Sequence, residues 1–248
     1  MELACIFNEM GTKVTVVEYL PNILGLVDSD ITKRLIPSLK KKGITINTST
    51  KITKIEKTTE GFVIFGEGKK GEVFYESERI LISTGRSALV DNLNLEEIGI
   101  GTTKKGIKVD LNYETSIKGI YAISDVNGIS MIAHAALHQG EHVTHHIIGD
   151  NSANVDNIIP SCIFIFPEVA CVGVTEDEAK ATGLNYKISK FIFGANGKAV
   201  TLGEGEGFIK LIPTNNLTED KNDNALIGAH IMGPHASDLI HECTLAYF

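Results

Sequence analysis

The sequence has little cysteine, and its four cysteines stand apart from one another. Cys5, Cys162, Cys171 and Cys243 form neither a CxxC nor a CxxxxC motif. Such motifs are typical of zinc sites and of local redox pairs, so the spacing encodes neither kind of site. Because free cysteine is among the most buried residue types, we expect all four to be thiols in the core.

Long apolar runs and an excess of basic residues are also missing. No stretch approaches the roughly 20 apolar residues of a membrane-spanning helix, and the first residues do not resemble a signal peptide. The net charge is −8, and the densest basic run, Lys40–Lys42, lies in a helical pattern, where it indicates a solvated face. We therefore expect neither a membrane nor a nucleic acid as partner, and a cytoplasmic or equivalent organellar location.

The remaining composition is that of an ordinary globular protein. The 248 residues are 43% hydrophobic and 22% charged, which is enough for one large domain or two smaller ones. At the beginning of the chain, Leu3, Ala4 and Phe7 share one face at helical spacing. They predict an amphipathic helix over Met1–Met10, with Gly11 as its C-cap.

A β-branched strand, Lys13–Val17, follows this helix and ends in Glu18. The order helix, glycine, strand, acid is that of the second half of a dinucleotide-binding βαβ unit. In the complete unit, the acid accepts hydrogen bonds from the adenosine ribose. The alternative is that Glu18 is merely the polar end of a strand.

A second amphipathic helix and a run of strands come next. Ile31, Leu35 and Leu39 recur at four-residue spacing and predict a helix over Asp30–Lys42, which Gly43 ends. The β-rich runs after it predict a β-meander built from Ile44–Asn47, Ile52–Lys57, Gly61–Phe65 and Glu72–Tyr75, with a turn at Gly66–Gly71.

Two apolar runs farther along end in polar motifs. Arg79–Ser83 is predicted to be a buried strand that stops at a TGR motif, where Gly85 either allows a ligand to approach closely or simply makes a turn. Gly119–Ile123 is predicted to be a second strand, and it runs into Asp125. A helix is predicted to open near Met131.

The pattern changes after a polar connector, DNSANVDN, which is typical of a domain boundary. A helix over Thr175–Thr182 has a capping box, with Thr175 as N-cap and Glu178 at the third position. A further helix is predicted to open at Gly233–Ala236, and TEDKNDN to be an exposed hairpin. Five predicted strands complete an antiparallel α+β domain: IPSCIFIF, ACVGVT, KISKFIF, GFIKLIP and ALIGAHIMG.

Four stretches, in their order and separations, resemble the flavin-dependent pyridine-nucleotide disulfide oxidoreductases, and among them most of all the dihydrolipoamide dehydrogenases. They are MELACIFNEMGTKVTVVE, ILISTGR, TSIKGIYAISDVNGISMIAHAALHQG and IPSCIFIFPEVACVGVTEDEAKATG. TSIKGIYAISD and PEVACVGVTE are specific signals, whereas ILISTGR alone is weak. The resemblance implies an α/β fold, in which partial Rossmann-like NAD- and FAD-binding domains precede an α+β dimerisation domain. The implied boundaries are 1–86 for the NAD part, 87–150 for the FAD part and 151–248 for the interface domain.

The resemblance implies that Asp125 accepts a hydrogen bond from a ribityl hydroxyl of FAD. A carboxylate is the strongest acceptor that a side chain can offer. The residues that line the flavin, mostly through backbone and shape, are Met131, Ile132, Ala133 and His134. They open a helix whose N–H groups and dipole would stabilise the negative charge of reduced flavin. His134 by itself is more typical of a structural histidine, and the role expected for it under the resemblance is packing near the flavin, not proton transfer. The family usually has glycine where this chain has Ser124.

On the nicotinamide side, the resemblance implies four contacts. Glu2 lies near the nicotinamide end, Glu18 binds the ribose, Ile52 flanks the adenine, and Gly85 lies beside the dinucleotide. A carboxylate at position 18 repels a 2′-phosphate, and Tyr19–Pro21 supplies no arginine to receive one. NAD is therefore expected rather than NADP.

No residue of this chain is expected to be catalytic, and no metal site is expected. The family's CxxxxC disulfide, its NAD glycine turn and its acid/base histidine have no counterpart in these residues. His138 and His142 are one helical turn apart, but they lack an obvious third ligand for a metal.

The chain is therefore expected to be an internal fragment of a dihydrolipoamide dehydrogenase and inactive alone. The resemblance implies electron transfer from protein-bound dihydrolipoamide, through a disulfide and FAD, to NAD. It also implies a homodimer formed through the C-terminal domain, and as partners the lipoyl domains of 2-oxo acid dehydrogenase or glycine cleavage complexes. Two alternatives remain open: another NAD-linked flavoprotein disulfide reductase, and a non-enzymatic, truncated dimerisation module.

Overall fold

The computed structural model describes residues 1–25, 27–150, 158–214 and 225–247, which fall into two units. The first unit combines 1–81 with the described part of 160–248, and the second contains the described part of 82–159. The helices and strands are α1 (Glu2–Glu9), β1 (Thr15–Val17), α2 (Ser29–Lys41), β2 (Thr45–Asn47), β3 (Lys51–Lys57), β4 (Phe62–Gly68), β5 (Gly71–Ser77), β6 (Thr102–Thr103), β7 (Gly106–Ile107), α3 (Ala133–Ile148), β8 (Ser161–Ile163), β9 (Glu168–Gly173), α4 (Glu176–Ala181), β10 (Ser189–Ile192), α5 (Gly197–Thr201), β11 (Phe208–Pro213), β12 (Leu226–Gly233) and α6 (Ala236–Leu245).

The first helix, α1, forms as predicted but packs through a different face. Its buried residue is Cys5, whereas Leu3 and Phe7 are exposed by 46% and 42%. Gly11 follows the helix at φ +86°, a conformation that glycine adopts without strain. The apolar spacing predicted which residues share a face of the helix, but such spacing does not show which face a neighbour covers.

The second helix, α2, connects two parallel strands. β1 and β2 pair in parallel, and Ile31, Leu35 and Leu39 on the inner face of α2 are fully buried, as predicted. The run Ile44–Asn47 was predicted to open the meander, and that prediction is wrong, since β2 pairs with β1 instead. Two parallel strands are usually connected by a helix, whereas antiparallel strands can be joined by a short turn.

The strands β3, β4 and β5 form the predicted antiparallel meander, with longer strands than expected. The predicted turn at Gly66–Gly71 shortens to the two residues between β4 and β5. Gly66 lies opposite Ile52, and a Cβ at Gly66 would come within 2.7 Å of the carbonyl oxygen of Lys51. The close approach of β3 therefore requires glycine at position 66.

The strands β8 to β12 form one antiparallel sheet in the order β10, β11, β12, β9, β8. Its register places Lys210, His230 and Cys171 in one row across three strands. Phe208 and Met232 lie on the same face of the sheet and join the hydrophobic core that contains α2. The early and late segments of the chain thus share one core.

The predicted strands and helices of this late segment are confirmed. The capping box of α4 is present: the Glu178 N–H donates to the Thr175 hydroxyl at 3.1 Å, and the Thr175 N–H donates to the Glu178 carboxylate at 2.8 Å. α6 opens at Ala236 and packs against β9 and β12. TEDKNDN and most of DNSANVDN lie outside the described residues.

The second unit contains the β6–β7 hairpin, the helix α3 and a small core of Ile100, Ile107 and Ala122. Two predicted strands are wrong. Arg79–Ser83 is not a strand, and Gly119–Ile123 makes only an isolated bridge through Tyr121. A strand exists only where a neighbour pairs with it, and no ladder reaches either run within the described residues.

Across the described ranges of both units, every helix is too short or too polar to traverse a lipid bilayer.

Candidate nucleotide and flavin sites

Glu18 lies at the end of β1 and is fixed there by its backbone and its side chain. Its N–H donates to Asn47 at 2.8 Å, and its carbonyl accepts from the Thr50 N–H at 2.9 Å. The carboxylate oxygen Oε1 accepts from the N–H of Leu20 at 2.7 Å. Its other oxygen, Oε2, has no hydrogen-bond partner within the described part of the chain and can accept from a ligand hydroxyl.

An open groove follows directly after Glu18. Tyr19–Pro21 forms one wall, and Ser49, Lys51 and Glu67–Lys69 line the rest. Sequence reasoning did not single out Lys51 or Lys69. The available signal was the position of Ser49 and Lys51 just past β2, since ligands of open α/β sheets bind beyond the carboxyl ends of parallel strands.

Ile52 follows shortly after a residue that binds Glu18, whereas Glu2 binds a residue of the late segment. Ile52 lies in β3, two residues after Thr50, whose N–H binds the Glu18 carbonyl. The Ile52 residue is 37% exposed. Glu2 opens α1, and its Oε1 accepts from the backbone N–H of Phe164 at 2.8 Å. Glu2 therefore joins the early and late segments of the first unit.

Gly85 belongs to the second unit, where it has φ +113° and an exposed backbone. Apart from Gly85 itself and its two chain neighbours, no atom lies within 4 Å of the place where a Cβ would be. The glycine is thus required by backbone conformation and leaves open space beside the chain.

Asp125 lies in a short 3-10 segment and forms an ion pair with Arg86. The Arg86 side chain also donates to the carbonyl oxygen of Met131 at 3.3 Å, and the Ser124 hydroxyl donates to Asp125 Oδ1 at 3.3 Å. The Asp125 side chain remains 40% exposed. A carboxylate has about four acceptor positions, so these contacts leave room for a further hydroxyl.

The backbone conformation of Ser124 explains why glycine would suit position 124. Its φ is +65°, in the left-handed region that residues other than glycine, asparagine and aspartate rarely adopt. Serine adopts this conformation here, and its hydroxyl contacts the neighbouring Asp125 carboxylate.

The helix after Asp125 begins two residues later than predicted. α3 starts at Ala133, and Ile132 is an extended N-cap without a side-chain hydrogen bond. Met131 and Ile132 are half-buried in the approach to the helix, while Ala133 and His134 are exposed in its first turn. The aliphatic side chain of Ile132 cannot accept a hydrogen bond from the first helical N–H groups, which suits this end to an acceptor from a ligand.

Two buried amides that the sequence did not suggest hold the turn around Asp125. Gln139 Oε1 accepts from the Ser124 N–H at 2.7 Å and from Asn127 Nδ2 at 3.0 Å. Asn127 Nδ2 also donates to the Ala122 carbonyl at 3.0 Å. The signal for Gln139 was a polar residue on the buried face of a helix, where an amide needs partners.

Two histidines of α3 form hydrogen bonds with neighbours in the protein. His142 contacts Asn112 Oδ1 at 3.1 Å, and His145 contacts Asp150 Oδ2 at 3.1 Å. Throughout the described ranges, no three histidine, cysteine or acidic residues gather in a way that could hold a metal ion.

The four cysteines are free, but only Cys5 is fully buried, so the prediction of four core thiols was too broad. Burial raises the pKa of all four thiols, and that of Cys171 to about 11. They are therefore protonated at neutral pH and are not activated nucleophiles.

Nearly the whole chain is similar to known proteins of one family. The pyridine nucleotide-disulphide oxidoreductase family matches residues 1–140, and the dimerisation domain of that family matches residues 159–248. The chain is 40% identical over 249 residues to dihydrolipoyl dehydrogenase of Bacillus subtilis, covering 99% of this chain and 51% of that protein. It is 34% identical to leghemoglobin reductase of Glycine max, covering 99% of this chain and 46% of that protein.

Among solved structures, the fold is similar to LpdA from Mycobacterium tuberculosis. The TM-score is 0.86 at 24% identity, covering 99% of this chain and 52% of that one. The flavoprotein disulfide reductase RclA from Escherichia coli gives a TM-score of 0.82 at 21% identity, covering 99% and 55%. At these identities the likeness shows the fold alone. The chain spans about half the length of the relatives that it matches.

Proposed function

The chain belongs to the pyridine nucleotide-disulphide oxidoreductase family, and we propose that its protein works as a dihydrolipoamide dehydrogenase. The observation that carries this proposal is the 40% identity to a dihydrolipoyl dehydrogenase over 99% of the chain. The matched region includes both the nucleotide-binding part and the dimerisation part. In the proposed reaction, protein-bound dihydrolipoamide is oxidised to the disulfide, and two electrons and a proton reach NAD as a hydride equivalent.

For the nicotinamide cofactor, we assign Glu18 to the adenosine ribose. The Leu20 N–H holds Oε1 at 2.7 Å, so the carboxylate is oriented before the ligand arrives, and Oε2 is available to a hydroxyl. Ile52 flanks the adenine, Gly85 gives the dinucleotide close access to the backbone, and Glu2 lies toward the nicotinamide end. The charge at Glu18 disfavours a 2′-phosphate, which favours NAD over NADP even though Lys51 and Lys69 line the groove.

For the flavin, we assign Asp125 to a ribityl hydroxyl and the first residues of α3 to the ring. FAD, when bound, supplies the two-electron step between disulfide and nicotinamide. Arg86 holds both Asp125 and the Met131 carbonyl, and so fixes the carboxylate relative to the helix start. Ile132, Ala133 and His134 present backbone N–H groups and shape, and the helix dipole favours negative charge at that end.

These assignments divide the chain into an NAD part over 1–86, an FAD part over 87–150 and an interface domain over 151–248. The 248 residues contain no CxxxxC motif, so the reacting disulfide and the acid/base histidine belong, in this proposal, to other parts of the protein. The protein is proposed to be a homodimer in the cytoplasm. Its proposed partners are the lipoyl domains of 2-oxo acid dehydrogenase or glycine cleavage complexes.

The test uses the complete gene product that contains this sequence. We expect it to purify with flavin and to reduce NAD with dihydrolipoamide as electron donor, and to use NADP poorly. Reduction of glutathione disulfide or another disulfide with NADH, in the absence of lipoamide activity, would instead identify a different flavoprotein disulfide reductase. A complete protein without flavin and without either activity would leave only a dimerisation role.

A further inference from the structure

The first unit contains a buried cluster of charged side chains away from the nucleotide groove. Lys210, in the middle of β11, is fully buried, and its ammonium group donates to Asp28 Oδ1 at 2.9 Å, Asp28 Oδ2 at 3.0 Å and Asp30 Oδ2 at 2.9 Å. It also contacts Glu176 Oε2, and Lys190 pairs with Asp30 from the exposed side.

The pKa shifts agree with a permanently charged cluster. Burial alone would lower the pKa of Lys210, but the hydrogen bonds to Glu176, Asp28 and Asp30 outweigh it and raise that pKa. Burial would likewise raise the pKa of Asp28, yet Lys210 and two backbone N–H groups lower it. A buried ion pair is costly to break, because the remaining charge is left without a partner.

The cluster joins parts of the chain that are far apart in sequence. Asp28 is the N-cap of α2, with Oδ1 accepting from the Asp30 N–H at 3.0 Å, and Oδ2 accepts from the Glu176 N–H at 3.0 Å. Lys210 lies 182 residues after Asp28. The position of Asp28 is therefore set by the late segment of the chain as well as by its own helix.

Asp28 is one end of the loop whose other end is Glu18. The same loop supplies the Leu20 N–H that orients the Glu18 carboxylate, and the Leu20 carbonyl accepts from the Ser49 N–H at 2.9 Å. Ile23, in the middle of the loop, is 2% exposed and belongs to the core. Next to Asp28, the Val27 N–H donates to the Leu24 carbonyl at 2.9 Å. The described residues of this loop, 19–25 and 27, are thus held near both ends and at Ile23, which leaves them few ways to move without disturbing Glu18.

We propose that Lys210 is a positioning residue for nucleotide binding: by holding Asp28, it fixes the loop between Glu18 and α2 and so presents the Glu18 carboxylate to the ribose. This inference rests on the proposed function, in which NAD binds at Glu18. It gives a residue of the dimerisation segment control over affinity for the nucleotide. Lys210 is not among the residues that line the groove.

The experiment compares Lys210→Met, Lys210→Arg and the control Lys187→Met in the complete enzyme. Lys187 is exposed in the same domain and forms no ion pair in the described structure. We expect Lys210→Met to raise the KM for NAD about tenfold, a size typical of coupling between separated sites. The kcat and the KM for dihydrolipoamide should stay within about twofold, Lys210→Arg should recover most of the affinity, and Lys187→Met should match the parent. A general loss of structure would instead lower kcat and flavin content together.

A second variant and a second measurement keep the test decisive. Asp28→Asn retains an oxygen for the N-cap but removes the charge that Lys210 holds, so it should raise the KM for NAD in the same way even if Lys210→Met fails to fold. In hydrogen exchange, the amides of Leu20 and Ser49 should exchange faster in these variants, while those of β9 should not change.

Unchanged KM for NAD and unchanged exchange at Leu20 and Ser49 in Asp28→Asn and in the folded Lys210 variants would overturn the inference. An equal loss of all kinetic parameters in Lys210→Met and Lys210→Arg would also overturn it, because the role would then be structural. A failure of the proposed function would give a different result. The parent enzyme would then bind NAD no better than the Glu18→Gln variant does. Hydrogen exchange at Leu20 and Ser49 would still show whether the Lys210 and Asp28 variants loosen the loop.

Discussion

Arg86 and Asp125 form an ion pair across 39 residues of the second unit. The pair joins the residue after Gly85 to the carboxylate assigned to the flavin. Because Arg86 also binds the Met131 carbonyl at 3.3 Å, one guanidinium fixes the turn and the approach to α3 together. A planar group with several donors suits this double contact, and lysine would not reproduce it.

Replacing Asp125 with alanine in the complete enzyme should weaken flavin retention. The substitution removes the proposed charge-assisted hydrogen bond to a ribityl hydroxyl, worth about 1.5 to 3 kcal/mol, and leaves Arg86 without its carboxylate partner. The ratio of bound flavin to protein after extensive dialysis measures the effect. Asp91→Ala, at an exposed aspartate of the same unit, is the matched control. Equal flavin content in both variants would rule out the role assigned to Asp125.

Ser124 provides a prediction about stability. At φ +65°, a β-branched side chain is strongly disfavoured, so Ser124→Val should lower the free energy of unfolding by more than about 1 kcal/mol. Ser124→Gly adopts this conformation freely and should be tolerated, apart from losing the hydroxyl contact to Asp125. Urea unfolding followed by circular dichroism compares the two. If valine were as stable as glycine here, the left-handed backbone at Ser124 would be incorrect.

Glu18 provides a prediction about the choice of nucleotide. Glu18→Gln removes the negative charge but keeps the shape, so the Kd for NAD should rise about tenfold while NADP gains relative to NAD. Titration of the complete enzyme with each nucleotide measures both constants. Glu60→Gln, in an exposed turn of the same unit, should change neither. An unchanged ratio of the two constants in Glu18→Gln would show that another group discriminates between them, with Lys51 and Lys69 as the next residues to test.

The charged cluster around Lys210 should make the first unit sensitive to acid. The hydrogen bond from Lys190, opposed by burial and helped by Lys210, lowers the pKa of Asp30 from 3.8 to about 2. Since the folded pKa is the lower one, its contribution is complete above the unfolded value and is lost as the pH falls from 3.8 toward about 2.

Asp30→Asn tests this dependence directly. The variant should be less stable by up to about 2 kcal/mol near neutral pH, and the difference from the parent should vanish toward pH 2. Free energies of unfolding measured across this range show the difference, with Asp177→Asn on α4 as an exposed control. A difference that stayed constant down to pH 2 would mean that the ionised Asp30 carboxylate does not contribute.

The sequence predicted elements whose signal is local. The spacing of Ile31, Leu35 and Leu39 identified α2 and its buried face, and Thr175 with Glu178 identified the start of α4. Both signals depend only on residues within one or two helical turns, so they do not require knowledge of distant contacts. Glu18 follows β1 directly, as the strand pattern predicted, whereas Asp125 lies in a 3-10 segment and not at the end of a paired strand.

Features that depend on distant partners were not predictable in this way. Arg79–Ser83 has a strand-like composition but pairs with nothing among the described residues, and the partner of β2 was misjudged for the same reason. The contact of Lys210 with Asp28 spans 182 residues. One local signal for it did exist: along β11, Lys210 is in phase with the buried Phe208 and Ile212, so a charged residue occupied a core position.

The last prediction concerns the activity of the 248-residue polypeptide by itself. Electron transfer in the proposed reaction requires reacting groups fixed within about 3 to 3.5 Å of one another. These 248 residues contain no CxxxxC pair, and in the proposed division of the site Asp125 and the start of α3 supply only one side of the flavin site. The purified polypeptide should therefore be colourless, and its lipoamide-dependent reduction of NAD should equal that of buffer. The complete gene product, assayed in parallel, should be yellow and active. Stoichiometric flavin in the 248-residue polypeptide would show that these residues build the cofactor site without help, and would contradict the division of the site proposed above.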